Sequence, residues 1–117
     1  MVMGVAETGV GLGLLALPSL VASLLLGATL DTATATTVAR VAGVALVTLG
    51  VACWLARNDT QSRAARGLIC AMLVYNAGVC VVLVYAALGT GISTLALWAV
   101  AVAHAGMAAG CLAALSR

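Results

Sequence analysis

One histidine, four cysteines, three carboxylates and five arginines are the whole reactive inventory of this 117-residue chain. His104 is the only side chain whose ordinary titration falls near neutral pH, so it is the first candidate for proton chemistry. It heads a helical stripe, His104, Met107 and Cys111, at i, i+3 and i+7. Imidazole, thioether and thiolate in that order would suit a soft ion such as Cu(I) or Zn. The stripe is too long for one ion, because its ends lie about 10 Å apart along a helix axis. There is no CxxC, no adjacent cysteine pair and no second histidine, so no metal site is expected. Haem would need His104 from two copies, and no cofactor is expected either. Acid/base or nucleophilic catalysis requires at least two convergent reactive groups. Only His104 lies deep in an apolar run, so no catalytic residue is assigned and the chain is not read as an enzyme.

The elements that must hold these residues follow from composition. The chain is 65% hydrophobic and 7% charged, with a mean hydropathy of +1.26. A soluble domain of this size leaves about a third of its unfolded surface wet, so this composition makes lipid the solvent. It excludes a soluble enzyme, a nucleic-acid-binding module with a basic face and a disulfide-stapled secreted domain. The eight charges separate four apolar runs, approximately 8–28, 38–56, 67–88 and 94–115. Each is near the roughly 20 residues that cross a hydrocarbon core as a helix. None alternates with period two, as a barrel strand would. The expectation is an all-α antiparallel four-helix transmembrane bundle forming one domain over 1–117.

The connections are a Thr-rich stretch (28–37), a hydrophilic segment (57–66) and a glycine turn (89–93). Ala33-Thr34-Ala35 has the form of a signal-peptidase site, but Glu7 in place of a basic n-region and the length of the preceding run argue for an uncleaved span. Arg57, Arg63, Arg66 and Arg117 fall on one side and Arg40 on the other, which places both termini and the 57–66 loop in the cytoplasm of a bacterial inner membrane. Trp54 then stands near the inner interface, with Tyr85 and Trp98 near the outer one.

Counting residues inward from the ends puts Pro18, Ser19, Thr48, Asn76, His104 and Met107 at one level near the midplane. The economical reading makes Ser19, Thr48 and Asn76 interhelical hydrogen-bond glue, each worth about 0.6 kcal/mol. His104 then donates as a neutral ring to Asn76 or to the Leu14 carbonyl, which Pro18 leaves without its usual donor. The sharper reading is a substrate or proton site. Cys53, Cys70 and Cys111 share a level near the cytoplasmic ends, where a reducing compartment and an apolar setting make packing their role. Glu7 falls level with Arg57 and Arg117, and Asp31 level with Arg40, so interfacial ion pairs are expected, with Glu7 as a coupling carboxylate the alternative.

Small residues at helical spacing carry the strongest signal: Gly9 and Gly13 in the first run, Ala39, Gly43 and Gly50 in the second, Gly106, Gly110 and Ala114 in the fourth. In lipid, close backbone approach and weak hydrogen bonds hold helices together. Length and span count are similar to those of the small multidrug resistance transporters, which use a glutamate deep in the first helix. Glu7 lies instead at the start of the first run, and their aromatic chamber has no counterpart in two Trp and two Tyr. Pro18-Ser19, Arg40-Val-Ala-Gly43, Leu49-Gly50, Trp54-Leu-Ala-Arg57, Tyr75-Asn76, and Trp98 with His104 resemble a group of small four-span bacterial inner-membrane proteins that brings no assigned activity.

The expected role is an accessory or stabilising subunit that packs against other transmembrane subunits or a second copy. The alternative is a small transporter or channel using Asn76, His104 and Glu7. Lipid is the expected environment, and no nucleic-acid partner is expected.

Overall fold

The computed structural model describes residues 2–59 and 62–116. It is all-helical among those residues: α1 Val2–Ala16, α2 Pro18–Leu26, α3 Ala33–Leu55, α4 Arg63–Gly89 and α5 Leu95–Leu115. The last three are each long and apolar enough to cross a membrane. The chain divides into two compact units, residues 1–58 and 59–117.

The first apolar run is not one straight helix. It breaks at Leu17 into α1 and α2, bent by 118°. Pro18 brings no N–H and a fixed φ, which suits it to the first turn of a new helix and unfits it for the interior of an old one. Leu17 N–H still reaches the Gly13 carbonyl at 2.7 Å, closing α1 before the chain turns. α2 ends on Gly27, whose φ of 74° lies in the left-handed region glycine tolerates. α1 also begins earlier than the charge pattern suggests. Val2, Met3, Val5 and Ala6 are helical, which moves Glu7 into the second turn instead of the helix start.

The three long helices start on hydroxyl caps. Thr32, Ser62 and Thr94 accept from the N–H groups of Ala35, Ala65 and Leu97 at 3.1, 3.0 and 3.0 Å. Each cap satisfies a donor that has no intrahelical partner. The caps set α3 at residue 33 and α4 at residue 63, about four to five residues before the apolar periodicity begins. Asp59 supports the Ser62 cap, taking its N–H at 3.0 Å and its hydroxyl at 2.5 Å.

In the first unit α1 lies along α3 in the opposite sense. A Cβ built on Gly4 would stand 3.2 Å from the Gly50 carbonyl, and one on Gly11 only 2.7 Å from the Gly43 carbonyl. Two glycine pairs, each seven residues apart on its own helix, bring the backbones into contact. Seven-residue spacing is that of a coiled-coil seam, here filled by the smallest residue.

The second unit is a hairpin of α4 and α5. Its buried residues are Ala65, Met72, Asn76, Leu83 and Ala87 on α4, and Leu97, Ala101, His104 and Cys111 on α5. Spacings of seven and four on one helix, and of four, three and seven on the other, again make heptad seams. Gly91, at φ 76°, lets the short connection reverse.

Candidate functional site

The second unit's seam contains one polar layer. Asn76 is fully buried and His104 is 8% exposed. The amide Nδ2 of Asn76 donates to the Met72 carbonyl at 2.7 Å. A carbonyl only accepts, so the amide orientation is fixed and Oδ1 faces the imidazole. His104 Nδ1 lies 2.8 Å from that oxygen. The ring therefore donates through Nδ1, which in a neutral imidazole leaves the lone pair on Nε2. Tyr75 meets the ring edge to face, with centroids 5.8 Å apart at 79°. The layer thus forms a chain running Met72 carbonyl, Asn76 amide, His104 imidazole. No buried side-chain nitrogen or oxygen among the described residues lacks a partner.

Chemically, this arrangement clamps two helices through one interhelical hydrogen bond, and Nε2 is the one group in it able to accept a proton. Heptad spacing puts both residues on facing stripes. Thr48 and Ser19 belong to the first unit. Thr48 is exposed, and its hydroxyl donates to the Val44 carbonyl of its own helix at 2.9 Å. Ser19 is half-buried in the first turn of α2. Of the four, Asn76 and His104 meet within the second unit.

The expected interfacial charges also move. Glu7 is 4% exposed, on the face that carries Gly4 and Gly11, and within electrostatic reach of Cys53. It belongs to the helix seam. Arg57 turns back on its own helix: Nη1 donates to the Trp54 carbonyl at 2.9 Å, and the guanidinium lies 4.6 Å over the Trp54 ring. Asp31 accepts from the Thr29 hydroxyl at 2.8 Å, and Arg40 is exposed. Arg117, named as another partner for Glu7, lies outside the described residues.

The glycine expectations divide. Gly43 and Gly50 are buried packing residues. A Cβ on Gly50 would overlap the Thr8 hydroxyl, and one on Gly43 would come 2.8 Å from the Gly11 carbonyl. Gly9 has nothing within 4 Å of a Cβ, and Gly13 meets only a Val21 methyl at 3.1 Å. The face of α1 that packs is Gly4, Glu7 and Gly11, one step around the helix from the stripe chosen on i, i+4 spacing. The seven-residue match of Gly4–Gly11 with Gly43–Gly50 was the signal available for it. Gly106 and Gly110 also have nothing within 4 Å of a Cβ and are exposed, so they do not pack the hairpin. Cys53 is half-buried, Cys70 exposed and Cys111 buried. No group of three His, Cys, Asp or Glu that could hold a metal occurs among the described residues.

Comparison with protein-family models, with curated proteins and with solved structures finds no match.

Proposed function

We propose that this chain is a small multi-pass subunit of a bacterial inner membrane that works by packing against other transmembrane helices. On this reading the bent pair α1–α2 and the three long helices make four crossings in an antiparallel bundle, with both termini cytoplasmic. The kinship with small four-span bacterial proteins belongs to the same proposal. One observation carries it: Gly106 and Gly110 form an open close-packing face that the α4–α5 hairpin leaves unused. The polar pair Asn76–His104, meanwhile, is engaged in holding that hairpin. Small residues in lipid are useful where a helix backbone must be approached closely. Gly106→Leu with Gly110→Leu should leave helicity and unfolding of the purified chain unchanged. The same change should shift the native-membrane particle, solubilised in mild detergent, to lower mass. An unchanged particle mass rejects the role.

A second reading, a small transporter or channel, gains from Glu7. The carboxylate is buried within α1, and the adjoining span is broken. Broken helices and buried ionisable groups are the usual materials of transport sites. Solute or ion flux through liposomes holding this chain alone, abolished in Glu7→Gln, would favour it over the subunit role.

A further inference from the structure

The first unit carries an open groove beside the α1–α3 seam, with a volume of about 460 Å³. Gly4, Thr8, Gly9 and Leu12 line it from α1, and Val51 and Trp54 from α3. Its walls are apolar in effect as well as in type. Thr8 is the one hydroxyl present, and it already donates to the Gly4 carbonyl at 2.7 Å, so its methyl is what remains for an occupant. Gly9 stands exposed at the rim of the groove on α1, and a Cβ there would meet nothing within 4 Å. Trp54 closes one end, and over its ring sits the exposed guanidinium of Arg57. The groove is therefore hydrocarbon-like along its length, with the positive charge of Arg57 at its end, where α3 stops.

We propose that this groove binds one acyl chain of an anionic phospholipid, with the phosphate held at Arg57. The charge pattern selects this occupant. A phospholipid has a single anionic end and an apolar remainder, and its headgroup lies at the interface where Trp54 and Arg57 stand. A partner helix would have to bring an acid to that same end. Arg57 has donors beyond the one engaged by the Trp54 carbonyl, and guanidinium suits phosphate in paired hydrogen bonds. Trp54 holds the cation in place, so little side-chain freedom is lost on binding.

The test uses the full chain purified in mild detergent, incubated with phosphatidylglycerol or, separately, phosphatidylcholine, and weighed intact by native mass spectrometry. One phosphatidylglycerol per chain should be retained, about fivefold more strongly than phosphatidylcholine, the preference expected of one basic residue at the surface. Arg57→Gln should bring retention down to the phosphatidylcholine level, and Arg57→Lys should keep most of it. Gly9→Phe, which lays a ring over the groove from its open rim, should remove retention of both lipids with the helical circular dichroism unchanged. Leu12→Trp on the open wall should do the same. Equal retention of the two lipids overturns the proposal, as does retention in both rim and wall variants. A change of oligomeric mass in those variants without loss of lipid also overturns it, and would assign the groove to a protein helix.

Discussion

The hydrogen bond between His104 and Asn76 explains why two polar side chains survive in a seam otherwise made of Ala, Leu, Met and Cys. Each answers the other's hydrogen-bonding capacity, and Asn76 has a second anchor in its own helix. Interhelical polar contacts in membrane bundles average about 0.6 kcal/mol and reach about 1.7. Part of a single substitution's effect is the partner left unsatisfied. A double-mutant cycle over His104→Leu and Asn76→Leu, followed by unfolding in mixed micelles, should give a coupling between those limits. The double variant should be more stable than the sum of the two singles predicts. A coupling near zero would mean that the layer does not hold the hairpin. The pair was partly legible in the sequence, because both residues stand at one depth in adjoining apolar runs. Ser19 and Thr48 stand at that depth too, but depth does not fix which way around a helix a side chain faces. Thr48 could also satisfy itself on the preceding turn, as it does with Val44, a choice not open to an imidazole.

Helices α3, α4 and α5 were legible as lengths of apolar chain; the starts of α3 and α4 were hidden because Thr32 and Ser62 cap them from inside polar segments, whereas α5 begins at Leu95, within one residue of its apolar run. The first run was harder. A hydropathy pattern reports how many residues can lie in hydrocarbon and not whether they lie in one line, so the 118° break at Leu17 left no trace except Pro18. Which face of α1 meets α3 was hidden for a related reason. Spacing of i, i+4 picks out Gly9 and Gly13, whereas opposed helices that wind around one another repeat every seven residues, and that repeat picks out Gly4, Gly11, Gly43 and Gly50. The two sets are separable by substitution. Gly11→Ala or Gly43→Ala drives a methyl into the facing backbone at 2.7 or 2.8 Å and should destabilise the purified chain by about 1–3 kcal/mol. Gly9→Ala and Gly106→Ala meet open space and should be neutral or slightly stabilising, since glycine is a poor helix former. Equal losses at Gly9 and Gly11 in the same unfolding assay would refute the seam.

Topology is the property of the whole chain on which the break bears most. A bent pair of helices either crosses the membrane or dips in and returns, and the two outcomes put the amino terminus on opposite sides. The glycine pairs favour crossing. Because Gly4 lies at Gly50 and Gly11 at Gly43, the start of α1 stands beside the end of α3, and α1 climbs away from that end. Its 15 residues reach about 22 Å, short of the roughly 30 Å core, so α2 and residues 27–32 must complete the passage before α3 begins. Basic loops stay in the cytoplasm, and Arg57, Arg63 and Arg66 bracket the link between α3 and α4. On the proposed topology the amino terminus shares their side, and α4 with α5 returns the carboxyl end to it. With the four native cysteines replaced by alanine, single cysteines at Val2, Thr29, Thr90 and Ser116 report the arrangement to a membrane-impermeant maleimide. Thr29→Cys and Thr90→Cys should react in intact cells, and Val2→Cys and Ser116→Cys only after permeabilisation. Reaction of Val2→Cys from outside would make α1–α2 a re-entrant segment and leave the chain with three crossings.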